Sequence, residues 1–453
     1  MTADAPIYFR SLELENVRCF GKRQCLDFSD KDGKPVQWVL ILGDNGVGKT
    51  TLLQCLGWMR PVPHVNKETE HIDGIEPALN SEENKVWDSL IRMGDKVDVV
   101  IQATLSAGQK LGEKSGNKAG SIKTQVEMQG ENGLLQDRKV ASPDGKQLLH
   151  SDPAIFAYGA SRRPGTLKRN EEELSDPLAS LHQESTELYD AEDILLKLDH
   201  RAKSGEKQDA DILQKIKQVL AAVLPGVEDE RKIHIRAPKV FGQRKQHDGV
   251  QFETPYGLVP IAGLSLGYQT TLTWLADLAL RLYQRYPESS NPLAEPGIVL
   301  IDNIDLHLHP RWQRRMMADI TERLPAIQFI ATAHSPLIVQ AAANAKLVVL
   351  HEQDGQVCID DNHELVNTWR VDQILASDLF GISTRSKHIE ELRKKRNALL
   401  DMPNRSQADE ARLRSLRETL DKLPTAEDAE DRAAMDLIRE IADDLKESKS
   451  NES

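Results

Sequence analysis

The sequence predicts an α/β nucleotide-binding fold, and two ordered features carry that expectation. The first is an apolar run, Trp38-Val39-Leu40-Ile41-Leu42, entering the glycine loop Gly43-Asp44-Asn45-Gly46-Val47-Gly48-Lys49-Thr50. A helical stretch, Thr50–Met59, follows it and stops before Pro61. The second is a distant apolar run, Ile298-Val299-Leu300-Ile301, that ends on Asp302. Runs that are apolar at every position belong to strands buried on both faces, as in a parallel sheet.

Taken in chain order, residues 7–28 read as short strands around Leu12, Leu14 and Val17, and Asp30-Lys31-Asp32-Gly33 as a turn. Residues 62–150 are polar and glycine-spotted, yet Val97–Leu105 and Ser121–Met128 alternate as antiparallel strands do, so a β-rich insertion is expected there. Ala154–Tyr158 is another strand. Leu195, Leu198, Ile212, Ile216 and Val219 mark a helical insertion over 185–225, far too short for a long coiled coil. Strand character returns over 230–262, and Ser265–Tyr286 is a long helix. Gly297–Ile301 and Gln328–Thr332 are buried parallel strands flanking a helix Arg311–Leu324. The composition shifts near Thr384, which bounds an α/β head at 1–383. Residues 384–447 are charged, with Leu392, Leu399, Leu413, Leu416, Leu420, Leu437, Ile441 and Leu445 at helical spacing, as expected of a C-terminal helical interaction module. Residues 448–453 read as a disordered tail.

The chain has 453 residues, 39% hydrophobic and 28% charged, ordinary values for a globular protein of one large or two average domains. A net charge of −13 argues against a surface that coats nucleic acid nonspecifically. A local basic face remains open at Arg231, Lys232, His234 and Arg236 with Lys239, Arg244 and Lys245, the alternative being a solvated hairpin. Cys19, Cys25, Cys55 and Cys358 form no C-x-x-C pair and read as reduced thiols. With no signal-like start and only strand-sized apolar runs, the expectation is a cytoplasmic protein with no membrane partner. The pair His307-x-His309 lacks a third metal ligand at suitable spacing.

The glycine loop has a definite chemistry. Glycines let backbone N–H groups turn toward phosphate oxygens, and the helix N-terminus adds its positive dipole end. Gly43, Asn45, Gly46, Gly48, Lys49, Thr50 and Thr51 are therefore expected to hold the phosphates of ATP, with Lys49 bridging the β- and γ-phosphates. Thr50 and Asp302 are the expected Mg²⁺ ligands, Asp302 acting through the metal's water shell. Leu264-Ser265-Leu266-Gly267-Tyr268-Gln269 opens the long helix; a hydroxyl and a glycine there suit an anion, although an ordinary serine cap is the alternative. A further buried strand, Phe329-Ile330-Ala331-Thr332, runs into His334.

The order of these motifs resembles the RecF/SMC-like branch of ABC ATPases, which includes the OLD nucleases and several phage-defence ATPases. The resemblance implies an ABC-type head in which Ser265 and Gly267 stand in the signature Leu-Ser-Gly-Gly-Gln, with Leu266 for the first glycine and Tyr268 for the glutamine. It implies that the signature of one protomer closes on ATP held by another, hence a head-to-tail dimer or higher oligomer. His334 then matches the switch histidine that meets the γ-phosphate, and Asp305 the D-loop residue. Tyr158-Gly159-Ala160-Ser161-Arg162 lies where such proteins carry a Q-loop but has no glutamine; Arg162 is either a phosphate sensor or part of a surface turn. Leu264–Leu280, Leu306–Gln313 and Val371–Gly381 look most like the PtuA family, the ATPase subunits of Septu antiphage systems. That likeness implies an HNH-type nuclease partner, PtuB, with DNA reached through the complex.

Hydrolysing ABC enzymes carry a glutamate after the Asp that ends this strand. Here the position is Asn303, whose carboxamide can hold a water but cannot accept its proton. Slow ATP hydrolysis is expected, unless an acid such as Asp305 substitutes. An OLD-type nuclease would need a further acidic module, for which Asp360-Asp361 is an insufficient pair, and a RecF-like repair ATPase fits the acidic charge less well.

Overall fold

In the computed structural model the strands follow one another as β1 (Ile7–Glu15), β2 (Gln24–Asp27) and β3 (Trp38–Gly43), then β4 (Pro61–Val65) and β5 (Ile72–Pro77). They continue with β6 (Val99–Ala107), β7 (Gly120–Met128), β8 (Leu135–Ala141), β9 (Ile155–Tyr158), β10 (Arg163–Pro164) and β11 (Glu187–Leu188). The series closes with β12 (Ile233–Arg236), β13 (Gly249–Thr254), β14 (Gly257–Pro260), β15 (Gly297–Ile301), β16 (Ile327–Thr332), β17 (Lys346–Gln353) and β18 (Gln356–Asp360). The residues described are 6–65, 72–78, 90, 98–108, 111, 120–128, 135–141, 153–165, 176–205, 207–227, 229–236, 249–342, 344–361, 369–377, 379–380, 387–400, 402 and 406–421.

The central sheet has the order β18-β17-β3-β16-β15-β9, parallel throughout except for the edge strand β18. Side chains alternate across a strand, and here the alternation divides the core in two. Trp38, Leu40, Leu42, Val299, Ile301, Phe329 and Ala331 face one cluster with the helices Ala191–Lys203, Lys207–Val223, Leu266–Arg285 and Met316–Arg323. Val39, Ile41, Ile298, Leu300 and Ile330 face the other, with the helix Lys49–Trp58 and the strand β1. Apolar residues at every position are thus demanded by packing on both sides. The Trp38 and Phe329 rings stack at 4.3 Å, locking β3 to β16.

A second, antiparallel sheet has the order β2-β1-β6-β7-β8. Its strands come from both sides of the glycine loop, β6, β7 and β8 pairing onto β1 in one sheet. Gln328, fully buried on β16, joins this sheet to the central one. Its Oε1 accepts from Phe9 N at 2.8 Å and its Nε2 donates to Phe9 O at 2.9 Å. The β1–β6 register shifts between Phe9 and Ser11, so the amide supplies both bonds at the bulge.

One expected helix, Arg311–Leu324, is two: Pro310–Gln313 and Met316–Arg323. Its first turn is tied elsewhere, since Gln313 donates to Leu308 O at 3.0 Å and accepts from Ser335 Oγ at 2.6 Å. His309 Nδ1 accepts from Arg311 N at 3.2 Å, capping that turn. Arg231 pairs with Asp229 and His234 with Glu253; Lys239, Arg244 and Lys245 lie outside the described residues.

The chain divides at Phe380/Gly381. In the second unit the helices Lys387–Leu400 and Gln407–Asp421 pack on each other, with Leu413 buried between mostly exposed neighbours. The expected helix at Leu437, Ile441 and Leu445 and the tail 448–453 lie outside the described residues. Among the described residues, no helix is long and apolar enough to cross a membrane.

Replacing Gln328 with Leu would bury the Phe9 N–H and C=O without partners. The expected cost is about 2–4 kcal/mol, read as a lowered urea midpoint with an unchanged slope.

Candidate functional site

All the parallel strands deliver their C-terminal ends to one edge of the central sheet, where such folds bind ligands. The glycine loop leaves β3 there with Gly43, Gly46 and Gly48 at φ of 141°, 85° and 88°, values that favour glycine. A Cβ on Gly43 would come within 2.5 Å of the Leu350 carbonyl oxygen, whereas Gly46 faces open space. Asp44, Asn45 and Gly46 are exposed at the rim. Lys49 begins the helix and is buried, its Nζ donating to Gly43 O at 2.8 Å and Asp44 O at 2.7 Å. Burial lowers its pKa, opposed by Asp302, Asp44 and Asp305.

Asp302 is the junction of the site. Thr50 Oγ1 donates to its Oδ2 at 2.8 Å, and Thr332 Oγ1 donates to its Oδ1 at 2.6 Å. The same Thr332 hydroxyl accepts from Asn303 N at 2.7 Å. Asn303 has φ 50° and is half-buried. Asp305 Oδ2 accepts from His334 N at 2.9 Å, so the loop after β15 holds the loop after β16. The His334 ring is exposed at the rim; partial burial and then the Lys49 charge lower its pKa, against the pull of Asp305, Asp302 and Asp44.

Arg162 is no surface turn. It is 2% exposed, and its Nη2 donates to Asn303 O at 2.6 Å. Burial brings its pKa down to about 10, against the pull of Asp302 and Asp305. Thr51, expected at the phosphates, instead turns its hydroxyl to Arg18, accepting from Nη1 at 3.2 Å. Arg18 also donates to Gln54 Oε1 at 2.8 Å and lies over the Trp58 ring.

Ser265 and Gly267 sit together at the start of the helix Leu266–Arg285 but face different ways. Ser265 is exposed at the N-cap, and its side chain makes no cap bond. Gly267 is buried because a Cβ there would collide with the His307 carbonyl, itself on a residue with φ 61°. Tyr268 donates to Pro225 O at 2.6 Å and packs on Trp312, while Gln269 donates to Leu264 O at 2.7 Å. The structure thus gathers Lys49, Thr50, Asp302, Asn303, Asp305, His334 and Arg162 around one carboxylate. Sequence reasoning missed Thr332 and Arg18. A threonine closing a buried run beside the Asp-bearing strand was the available signal for Thr332; a lone arginine in the β1–β2 turn offers none.

Two family profiles match, one described as an AAA domain over residues 11–223 and one as an AAA domain, putative AbiEii toxin, type IV TA system, over residues 152–340. The Septu protein PtuA of Bacillus mycoides (strain KBAB4) is 24% identical over 92% of this chain and 50% of its own length. The chain is similar to PtuA along most of its length and to AAA domains over its two matched segments. The retron Vc95 probable ATPase of Vibrio cholerae serotype O1 biovar El Tor is 41% identical over 21% of this chain and 19% of its own length. The chain spans about half the length of that PtuA, and less of the retron protein. An Smc head bound to the C-winged helix domain of ScpA is 17% identical, with 78% of this chain and 97% of that one covered at a TM-score of 0.42.

The two signature residues make opposite predictions. Ser265→Ala should change folding stability by less than about 0.5 kcal/mol, because no cap bond is lost. Gly267→Ala should cost about 1–3 kcal/mol through the clash at His307. Chemical denaturation of both variants checks the contrast.

Proposed function

We propose that this chain is the nucleotide-binding regulatory subunit of an antiphage defence complex, in which ATP organises copies of the chain instead of fuelling rapid turnover. The similarity to PtuA and to a retron ATPase supports the defence setting. The observation that carries the rest is the carboxylate of Asp302, held between the Thr50 and Thr332 hydroxyls and followed by Asn303.

The residues fit MgATP. Gly43, Asn45, Gly46 and Gly48 form the loop, with Gly46 open to a close approach, and the buried Lys49 ammonium donates to two backbone carbonyls. Thr50 and Asp302 present adjacent hard oxygens of the kind Mg²⁺ takes. The bound metal supplies charge neutralisation at the phosphates. His334, held through its backbone by Asp305, would donate to the terminal phosphate. Asn303 would hold a water without accepting its proton, so hydrolysis is slow.

The exposed Ser265 hydroxyl, free of capping duty, is the group offered to nucleotide held by a second copy in a head-to-tail dimer or larger assembly, with Asp305 beside that interface. The nuclease is a separate HNH-type protein of the PtuB kind, and DNA is met through it. The helical unit after Gly381 is the module we assign to partner binding.

Phosphate release by the purified chain should be slow, and Asn303→Glu should raise it about 10²-fold. Rapid release by the wild type, unchanged by the glutamate, would sink the proposal of a slow site. Lys49→Ala should abolish ATP-dependent assembly as read by light scattering.

A further inference from the structure

Next to the start of the helix Leu266–Arg285 the chain presents cations without partners. Gly267 packs against the His307 carbonyl, and from there the chain runs into the short helix Pro310–Gln313. That turn is held on three sides. Trp312 is buried against Tyr268, Gln313 donates to Leu308 O at 3.0 Å and to Asp305 O at 3.4 Å, and the His309 ring accepts from Arg311 N. Arg311 and Arg314 stand exposed on it, and among the described residues neither forms an ion pair. Arg315, by contrast, has Asp319 at 3.0 Å. Ser265 and Leu266, exposed just before Gly267, belong to the same edge.

The glycine loop has the opposite need. Asp44 stands exposed at its rim, and among the described residues no cation pairs with its carboxylate. Its backbone carbonyl accepts from Lys49 Nζ at 2.7 Å, which fixes where the residue sits. Its charge reaches Lys49 and His334 through space. An unpaired carboxylate at the mouth of a site for a polyanion repels the ligand that the site admits. A cation brought from outside the chain offsets that repulsion.

Charge complementarity selects the partner. The arginines and the carboxylate do not pair within one chain, but a second copy carries what each lacks. Where Ser265 of one copy meets nucleotide held by another, the residues around Ser265 meet the residues around the glycine loop. At a net charge of −13 copies of this chain repel one another, so cations on the meeting face have a definite use. We infer that Arg311 and Arg314 form an ion-paired contact with Asp44 of a second copy of this chain, repeated at both glycine loops of a head-to-tail pair. The inference rests on the head-to-tail assembly of the proposed function. Opposite charges placed this way fix the register of the pair and disfavour other pairings.

Light scattering with MgATP reads assembly of the full-length protein, after ATP binding has been titrated for every variant. Asp44→Lys and the double variant Arg311→Glu/Arg314→Glu should each need about 10- to 100-fold more protein for half-assembly, because like charges then face each other at both contacts. Mixed in equal amounts, the two variants should recover wild-type assembly. Each contact of the mixed pair then joins opposite charges, glutamates to lysine at one and arginines to aspartate at the other. If Asp44→Lys does not bind ATP, Asp44→Asn takes its place in the mixture, with a smaller recovery expected. Unchanged assembly of the variants, or a mixture that recovers nothing although both members bind ATP, overturns the ion pair. A wild type that binds ATP yet stays monomeric overturns the assembly itself, and that result is read before any variant is compared.

Discussion

The carboxylate of Asp302 is the constraint on which the site depends. It ends β15 and is bonded on one side to Thr50, which follows β3, and on the other to Thr332, which ends β16. Three segments, one 252 residues before Asp302 and one 30 residues after it, are registered at one pair of oxygens. The sheet makes this possible because parallel pairing brings β3, β16 and β15 to the same edge. Without the full burial of Val39, Leu300 and Ile330 on one face and Leu40, Ile301 and Phe329 on the other, the three ends would not meet.

What was legible in the sequence is what repeats locally. The runs at Trp38–Leu42 and Ile298–Ile301 are apolar at consecutive positions because both faces are packed, and the glycine loop is spaced by what its backbone must do. Less legible were residues whose meaning comes from a distant partner. Gln328 interrupts a buried strand for the sake of Phe9, 319 positions away. Arg162 stands in a stretch that could equally be a surface turn, and its burial is set by Asn303, 141 positions on. The helix expected over 311–324 has the right periodicity, yet the ties from Gln313 to Leu308 and Ser335 break it.

The signature-like segment shows how a motif can keep its place while its side chains change employment. Tyr268 and Gln269 both turn inward, onto Pro225 O and Leu264 O, and Gly267 serves the close approach of His307. Only Ser265 and the half-exposed Leu266 face outward. Any surface meeting this edge is met by a hydroxyl and an alkyl group, with no glutamine amide.

Asn303 and Arg162 are best understood together. A glutamate at position 303 would share its neighbourhood with a buried guanidinium, and a nearby cation lowers a carboxylate pKa, which weakens it as a base. With asparagine there is no base for the cation to weaken. The exchange removes one negative charge from the site, and the arginine adds a positive one in place of a neutral amide. Both changes raise the local potential in a partly dry environment, where charges act more strongly than in water. On the proposed reading, a site altered in that direction would hold a polyanion more firmly and activate water less, through the same two residues.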